Sequence, residues 1–267
     1  MTQLRGCDVS TFQDPSLVNW FKYDFGIARA TYGTLGDKRV AAHAGRIRAA
    51  KKRLGLYHFF LFNRPVTDQF EAFAKVADAV SFGEGDILPC IDVEAFPDRF
   101  AGGRPTHYCQ VEASWNSALQ EFAELMDSKF GGCILYITQR DWGLLGQPSW
   151  ILGHPLWVAN YPKAGATAPL KAPATPANRP YTIWQCMVGP LDKQLQDPNN
   201  PRAVDQNITS GELPLIGTSL QGDSAGITDT SDVAAPPSRV PYLLLTDEDW
   251  SEMQAARDRH FTDTQFV

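Results

Sequence analysis

Short apolar runs recur along the chain, separated in its first half by amphipathic stretches. The runs are Gly6-Cys7-Asp8-Val9, Gly26-Ile27-Ala28-Arg29-Ala30, Gly55-Leu56-Tyr57-His58-Phe59-Phe60 and Ile87 to Val93. They continue with Cys133-Ile134-Leu135-Tyr136-Ile137, Leu156-Trp157-Val158-Ala159, Tyr181-Thr182-Ile183-Trp184-Gln185 and Ala203 to Ile208. Each has the length and side-chain character of a buried strand. Between the early runs the period changes. Asp37 to Leu54 is rich in Ala, Lys and Arg; Val66 to Val80 carries Phe70, Phe73, Val76 and Val80 at helical spacing. Val111 to Phe130 carries Trp115, Leu119, Phe122 and Leu125 in the same way. Strand, helix, strand, repeated, predicts parallel strands with right-handed crossovers. The number of strands predicts an α/β fold, an irregular (β/α)8-type, TIM-like barrel. Pro162 to Pro180 is Ala/Pro-rich and predicts loop, so the second half should be short of helices.

The pattern changes again after about Ser210. Residues 1–215 are expected to form the barrel, and 216–240 a flexible linker of Gly, Ser, Thr, Asp and Pro. Residues 241–267 open with the apolar Pro241-Tyr242-Leu243-Leu244-Leu245. Thr246 then offers an N-cap, with Asp247, Glu248 and Asp249 in the first turn. Trp250, Met253 and Arg257 would share one side of that helix. A segment this short has no core of its own. It is expected to dock or self-associate, or to engage a virion partner.

Composition narrows the function classes. The chain has 267 residues, 43% hydrophobic and 20% charged, which is ordinary for a globular protein with a substantial core. A net charge of -6 argues against nucleic acid or anionic membrane as partner. The short basic run Lys51-Lys52-Arg53 lies in a helical pattern and reads as a solvated face. No apolar stretch approaches the roughly 20 residues of a membrane span, so no membrane insertion is expected. The N-terminus lacks the marks of a signal peptide, which predicts synthesis in the cytosol. Cys7, Cys90, Cys109, Cys133 and Cys186 are widely spaced and read as reduced, mostly buried thiols without disulfides. No close Cys/His spacing, HExxH, GxSxG or phosphate-binding glycine loop is present, so no metal and no cofactor are expected.

The candidate chemistry lies at the strand ends. The run from Ile87 closes on Asp92 and Glu94, which at i and i+2 project to one face. From the C-terminal end of a barrel strand they would enter the mouth, where barrel enzymes place their chemistry. Asp8 on the first strand and Asp205 on the last repeat the design, and in a closed barrel those strands are neighbours. Carboxylates crowded in this way favour keeping one proton among them, the equipment of glycoside hydrolysis. Any one of these acids alone is more readily structural, a turn-former at a strand end, than catalytic; the set of four is much harder to obtain by chance. Tyr57, Phe59, Tyr136, Trp157 and Trp184 are candidate sugar platforms, with core packing as the alternative. Arg29 is a candidate partner for a mouth acid, or else an exposed strand arginine.

The motifs resemble a known family. Cys7-Asp8-Val9-Ser10 with Gln13 is similar to the opening of the glycoside hydrolase family 25 lysozymes, the N-acetylmuramidases. Phe25 to Thr34 resembles their second strand, and Gly55 to Phe60 their third. Ile91-Asp92-Val93-Glu94 resembles their acidic signature, Leu156 to Ala159 their sixth strand, and Val204-Asp205-Gln206-Asn207 their closing motif. The resemblance covers about residues 4–210, with departures at Lys163 to Pro180 and Leu191 to Arg202. It implies a peptidoglycan hydrolase that cleaves the β-1,4 bond from N-acetylmuramic acid to N-acetylglucosamine. It implies Glu94 as general acid, Asp92 orienting the substrate acetamide, and Asp8 and Asp205 tuning the pair or positioning water. A bacteriophage lysin would fit the missing signal peptide: made in the host cytoplasm, it would act on the wall after release or from the virion. An exported autolysin is the runner-up. A non-catalytic peptidoglycan-binding barrel or a virion structural component is the competing class.

Overall fold

The computed structural model describes residues 3–94, 113–160, 173–188 and 204–218. Cys109, most of the expected linker and the expected tail lie outside them. The strands are β1 (Arg5–Val9), β2 (Phe25–Tyr32), β3 (Leu35–Gly36), β4 (Arg53–Phe59) and β5 (Cys90–Asp92). They continue with β6 (Ile134–Tyr136), β7 (Leu156–Ala159), β8 (Ile183–Val188) and β9 (Asp205–Thr209). The helices are α1 (Val40–Ala49), α2 (Val66–Ala79), α3 (Ala113–Phe130) and the short α4 (Gln139–Leu144).

The sheet order is β1-β9-β8-β7-β6-β5-β4-β2-β3, and β1 also pairs with β2. β3 is a two-residue flap hairpinned onto β2, so the remaining strands close into a barrel. Among the described residues after β6 the one α-helix is the short α4; most of the Pro/Ala-rich stretch lies outside them. The expectation of uniformly parallel strands needs one correction: β9 is antiparallel to both β1 and β8. An antiparallel strand needs no helical crossover, and the hydrophobic pattern of a strand does not encode its direction.

Periodicity explains which faces pack. On α1, Val40, His43, Ala44 and Ile47 are buried, and on α2 Gln69, Phe73 and Ala77. On α3, Leu119, Phe122, Ala123, Met126 and Phe130 are buried. These i, i+3, i+4 stripes lie on the outward faces of the strands. α4 starts where Thr138 caps it, its hydroxyl oxygen accepting from the Asp141 N–H at 3.1 Å. The apolar run from Ile87 does not all enter the ladder. Pro89 has no N–H to give, and β5 begins at Cys90. Ile87 instead bridges to Leu215, and the Ile216 N–H donates to the Asp86 carbonyl at 2.8 Å. The segment through Ile216 therefore straps the barrel. No helix among the described residues is long and apolar enough to cross a membrane.

Candidate active site

Register sets the site. Phe59, Asp92, Tyr136 and Trp157 occupy successive partner positions on β4, β5, β6 and β7. Side chains in register share a face. The rings of Tyr57 and Trp157 meet edge-to-face at 6.3 Å, although β5 and β6 separate their strands in the sheet. That contact can form only across the lumen, so this layer faces inward. Tyr136 packs on Trp157 at 4.9 Å. Asp8 on β1 is the direct partner of Asp205 on β9. Because β9 is antiparallel, its first residue stands at the same end of the barrel as the last residues of its neighbours. A parallel β9 would have put Asp205 at the opposite end.

Cys90, one lumen layer below Asp92, ties the acids together. Burial, then the charges of Asp8 and Asp92, push its thiol well above the ordinary range. Both carboxylates therefore lie near that thiol.

Two hydrogen-bond chains converge on Asp8. The Tyr136 hydroxyl donates to Gln185 Oε1 at 2.8 Å, and Gln185 Nε2 donates to Asp8 Oδ2 at 3.0 Å. Trp157 Nε1 donates to Asn207 Oδ1 at 2.9 Å, and Asn207 Nδ2 donates to Asp8 Oδ2 at 2.7 Å. An indole N–H can only donate, so it fixes which end of the Asn207 amide faces it. The other end, an NH2 group, must then face Asp8. Asp8 Oδ2 thus accepts from two amides, one of which, Asn207, has its polarity locked by the indole. Gln185 and Asn207 were not singled out from the sequence. Neutral amides carry no charge signal, although Asn207 stands in the closing motif.

The other expected residues fall as follows. Asp92 is buried at the end of β5, and Glu94 is half-buried two residues beyond it. Asp205 is half-buried. Phe59 stacks on Tyr32 at 4.5 Å, toward the β3 flap. Trp184 alternates with Gln185 along β8 and lies on the other strand face, its indole N–H donating to the Asn160 carbonyl at 3.0 Å. Arg29 is not exposed. Its Nε meets Asp37 Oδ2 at 2.9 Å, with the two side chains 2% and 0% accessible. Asp37 also accepts from the backbone N–H groups of Thr11 and Arg39. A buried arginine with a fully bonded carboxylate organises the loops behind the flap. Asp37, which the sequence pattern assigns to a helix start, is therefore a third structural residue, after Gln185 and Asn207, that the pattern does not reveal.

A barrel with carboxylates from its first, middle and last strands, gathered with aromatic rings at one mouth, has the form of a carbohydrate-cleaving enzyme. The sequence profile of Glycosyl hydrolases family 25 matches residues 7–187. The chain belongs to that family and is a glycoside hydrolase. Among curated proteins none matches the sequence. Solved structures are similar in fold. A family 25 glycosyl hydrolase from Bacillus anthracis is 21% identical at a TM-score of 0.60, covering 78% of this chain and 89% of that one. The bacterial lysozyme of Streptomyces coelicolor is 23% identical at 0.60, covering 79% and 94%. The catalytic domain of an endolysin from bacteriophage P40 of Listeria monocytogenes is 21% identical at 0.58, covering 78% and 94%.

Proposed function

We propose that the protein is a lysozyme-type peptidoglycan hydrolase that cleaves the β-1,4 bond from N-acetylmuramic acid to N-acetylglucosamine, and that it serves as a bacteriophage lysin. The observation that carries this reading is the meeting of Asp8, Asp92, Asp205 and the Glu94 segment at one end of the barrel. Family membership and the fold likeness to a lysozyme and a phage endolysin domain support it.

In this mechanism Glu94 gives its proton to the glycosidic oxygen as the bond to the anomeric carbon breaks. Asp92 accepts the N–H of the sugar's 2-acetamido group and turns its carbonyl oxygen toward the anomeric carbon. That oxygen forms the new bond, giving a cyclic oxazolinium; water then opens the ring, losing its proton to the Glu94 carboxylate. Such substrate assistance departs from the usual two-carboxylate schemes. The i, i+2 spacing suits it, since one acid reaches the leaving oxygen while the other holds the acetamide. Asp8, braced by Gln185 and Asn207, and Asp205 shape the field around the pair. Tyr57, Phe59, Tyr136 and Trp157 are proposed to contact sugar rings at the mouth.

The products test the reading. Digested walls should carry new reducing ends on N-acetylmuramic acid, and proton NMR should detect the β-anomer first. New ends on N-acetylglucosamine would overturn the bond assignment. An early α-anomer would replace acetamide participation with an inverting role for Asp8 or Asp205.

A further inference from the structure

At the barrel end remote from the acids, three side chains of different chemistry come together. Asp127 lies near the C-terminus of α3, Cys133 directly precedes β6, and His154 stands just before β7. One carboxylate oxygen, the Cys133 sulfur and one His154 nitrogen all lie within 4.8 Å of one another. Cys133 Sγ is 3.5 Å from His154 Nδ1, and Asp127 Oδ1 is 3.9 Å from the same nitrogen.

The arrangement differs from a nucleophilic relay. In a Cys–His–Asp relay the thiol and the carboxylate occupy opposite nitrogens of the ring, so that a proton can pass through it. Here both converge on Nδ1, where a single proton serves a single good partner. Asp127 Oδ1 is buried with no partner at ordinary hydrogen-bond length besides the Cys133 thiol, which is itself fully buried. Something placed between the three atoms would satisfy all of them at once.

The distances suit a cation. With metal–sulfur near 2.3 Å and metal–nitrogen near 2.0–2.1 Å, tetrahedral angles put sulfur and nitrogen about 3.5 Å apart. That is the separation found. The same geometry asks for about 3.4 Å between nitrogen and oxygen, so Asp127 would have to move by about 0.5 Å. Its side chain is 37% accessible and has room to turn.

We propose that Asp127, Cys133 and His154 form a binding site for a borderline-soft divalent cation of the zinc type, with water completing the tetrahedron. A thiolate, an imidazole and one carboxylate disfavour magnesium and calcium, which take oxygen ligands. The site staples the end of α3 to the chain entering β6 and the chain entering β7. It sits away from the acids and has no part in hydrolysis. The sequence hides it because Cys133 and His154 stand 21 positions apart, outside any short metal motif. Burial first, then Asp127, raises the Cys133 thiol well above its ordinary range.

The test uses the full chain, stripped with chelator and titrated with cobalt(II), then zinc(II). About one equivalent of cobalt should produce a near-ultraviolet thiolate charge-transfer band that zinc bleaches, and zinc should raise the melting temperature. His154→Gln and Asp127→Asn alter part-exposed side chains and should fold; each should weaken binding at least ~10-fold. Wall hydrolysis by either should match wild type at a temperature where both are folded. Cys133→Ser, where it folds, should lose the band. No thiolate band in wild type, a band in folded Cys133→Ser, or unchanged affinity in either other variant would overturn the proposal.

Discussion

At the scale of single residues, Asn207 sets the polarity of the lumen. Its amide stands between a group that can only donate, Trp157 Nε1, and a carboxylate that must be aimed, Asp8. Asn207→Ala removes the donor to Asp8 and leaves a buried indole N–H unpaired. A loss of this kind costs about 1–3 kcal/mol. We expect a lower melting temperature and slower wall hydrolysis in protein that still folds. A variant with wild-type stability and rate would contradict the network's role. The acids of this site were legible in the sequence because charge at the end of an apolar strand stands out. The amides that hold Asp8 were not, since Gln185 and Asn207 read as ordinary strand polars. Arg29 was noticed, but not its true partner: Asp37 arrives from the far side of the β3 flap, a pairing that spacing does not reveal.

At the scale of elements, His58 shows how β4 is locked to the helices. It leaves the barrel on the outward face, stacks on Phe122 of α3 at 4.4 Å and meets Phe73 of α2. Its ring nitrogens contact Thr31 Oγ1 at 2.6 Å and Gln69 Oε1 at 3.2 Å. Burial lowers its pKa from 6.5 to about 3, with the bond to Gln69 acting the other way. The native ring is thus neutral where the unfolded ring takes up a proton. Stability is unaffected by this group above pH 6.5 and falls as pH drops from there toward about 3. The slope approaches about 1.4 kcal/mol per pH unit from this one residue. Denaturant titrations across that window should show a shallower acid slope for His58→Gln than for wild type; equal slopes would refute the assignment. The same elements show what the hydrophobic pattern can report. It found the strand runs and the three long helices, because burial demands apolar side chains at fixed periods. It missed the direction of β9 and the late start of β5, which depend on pairing and on the missing N–H of Pro89.

At the scale of the molecule, the two ends of the barrel divide the labour. The C-terminal ends of the parallel strands hold the acids, while Asp127, Cys133 and His154 lie together at the other end. Cys7, Cys90, Cys133 and Cys186, the four described cysteines, are buried. The strap through Leu213 and Ile216 belongs to the barrel, since both are buried and Leu88 N–H donates to the Pro214 carbonyl at 3.0 Å. A truncation that respects this packing starts after Thr218. We propose that the removed segment, including 241–267, serves docking or self-association. The truncated chain should then cleave small soluble muropeptides within a few-fold of wild type while its oligomeric state or recruitment changes. An unfolded truncation product would instead make the segment an integral part of the barrel.

The central claim is that Glu94 supplies the proton for glycosidic cleavage. The most direct measurement is the initial rate of turbidity loss of purified cell walls for wild type and Glu94→Gln, with folding checked by melting. The substitution keeps the shape and removes the proton donor, and a general acid contributes about 10²–10⁴-fold. The account predicts a loss at least that large with an unchanged melting profile. A folded Glu94→Gln protein that clears walls at the wild-type rate would contradict it.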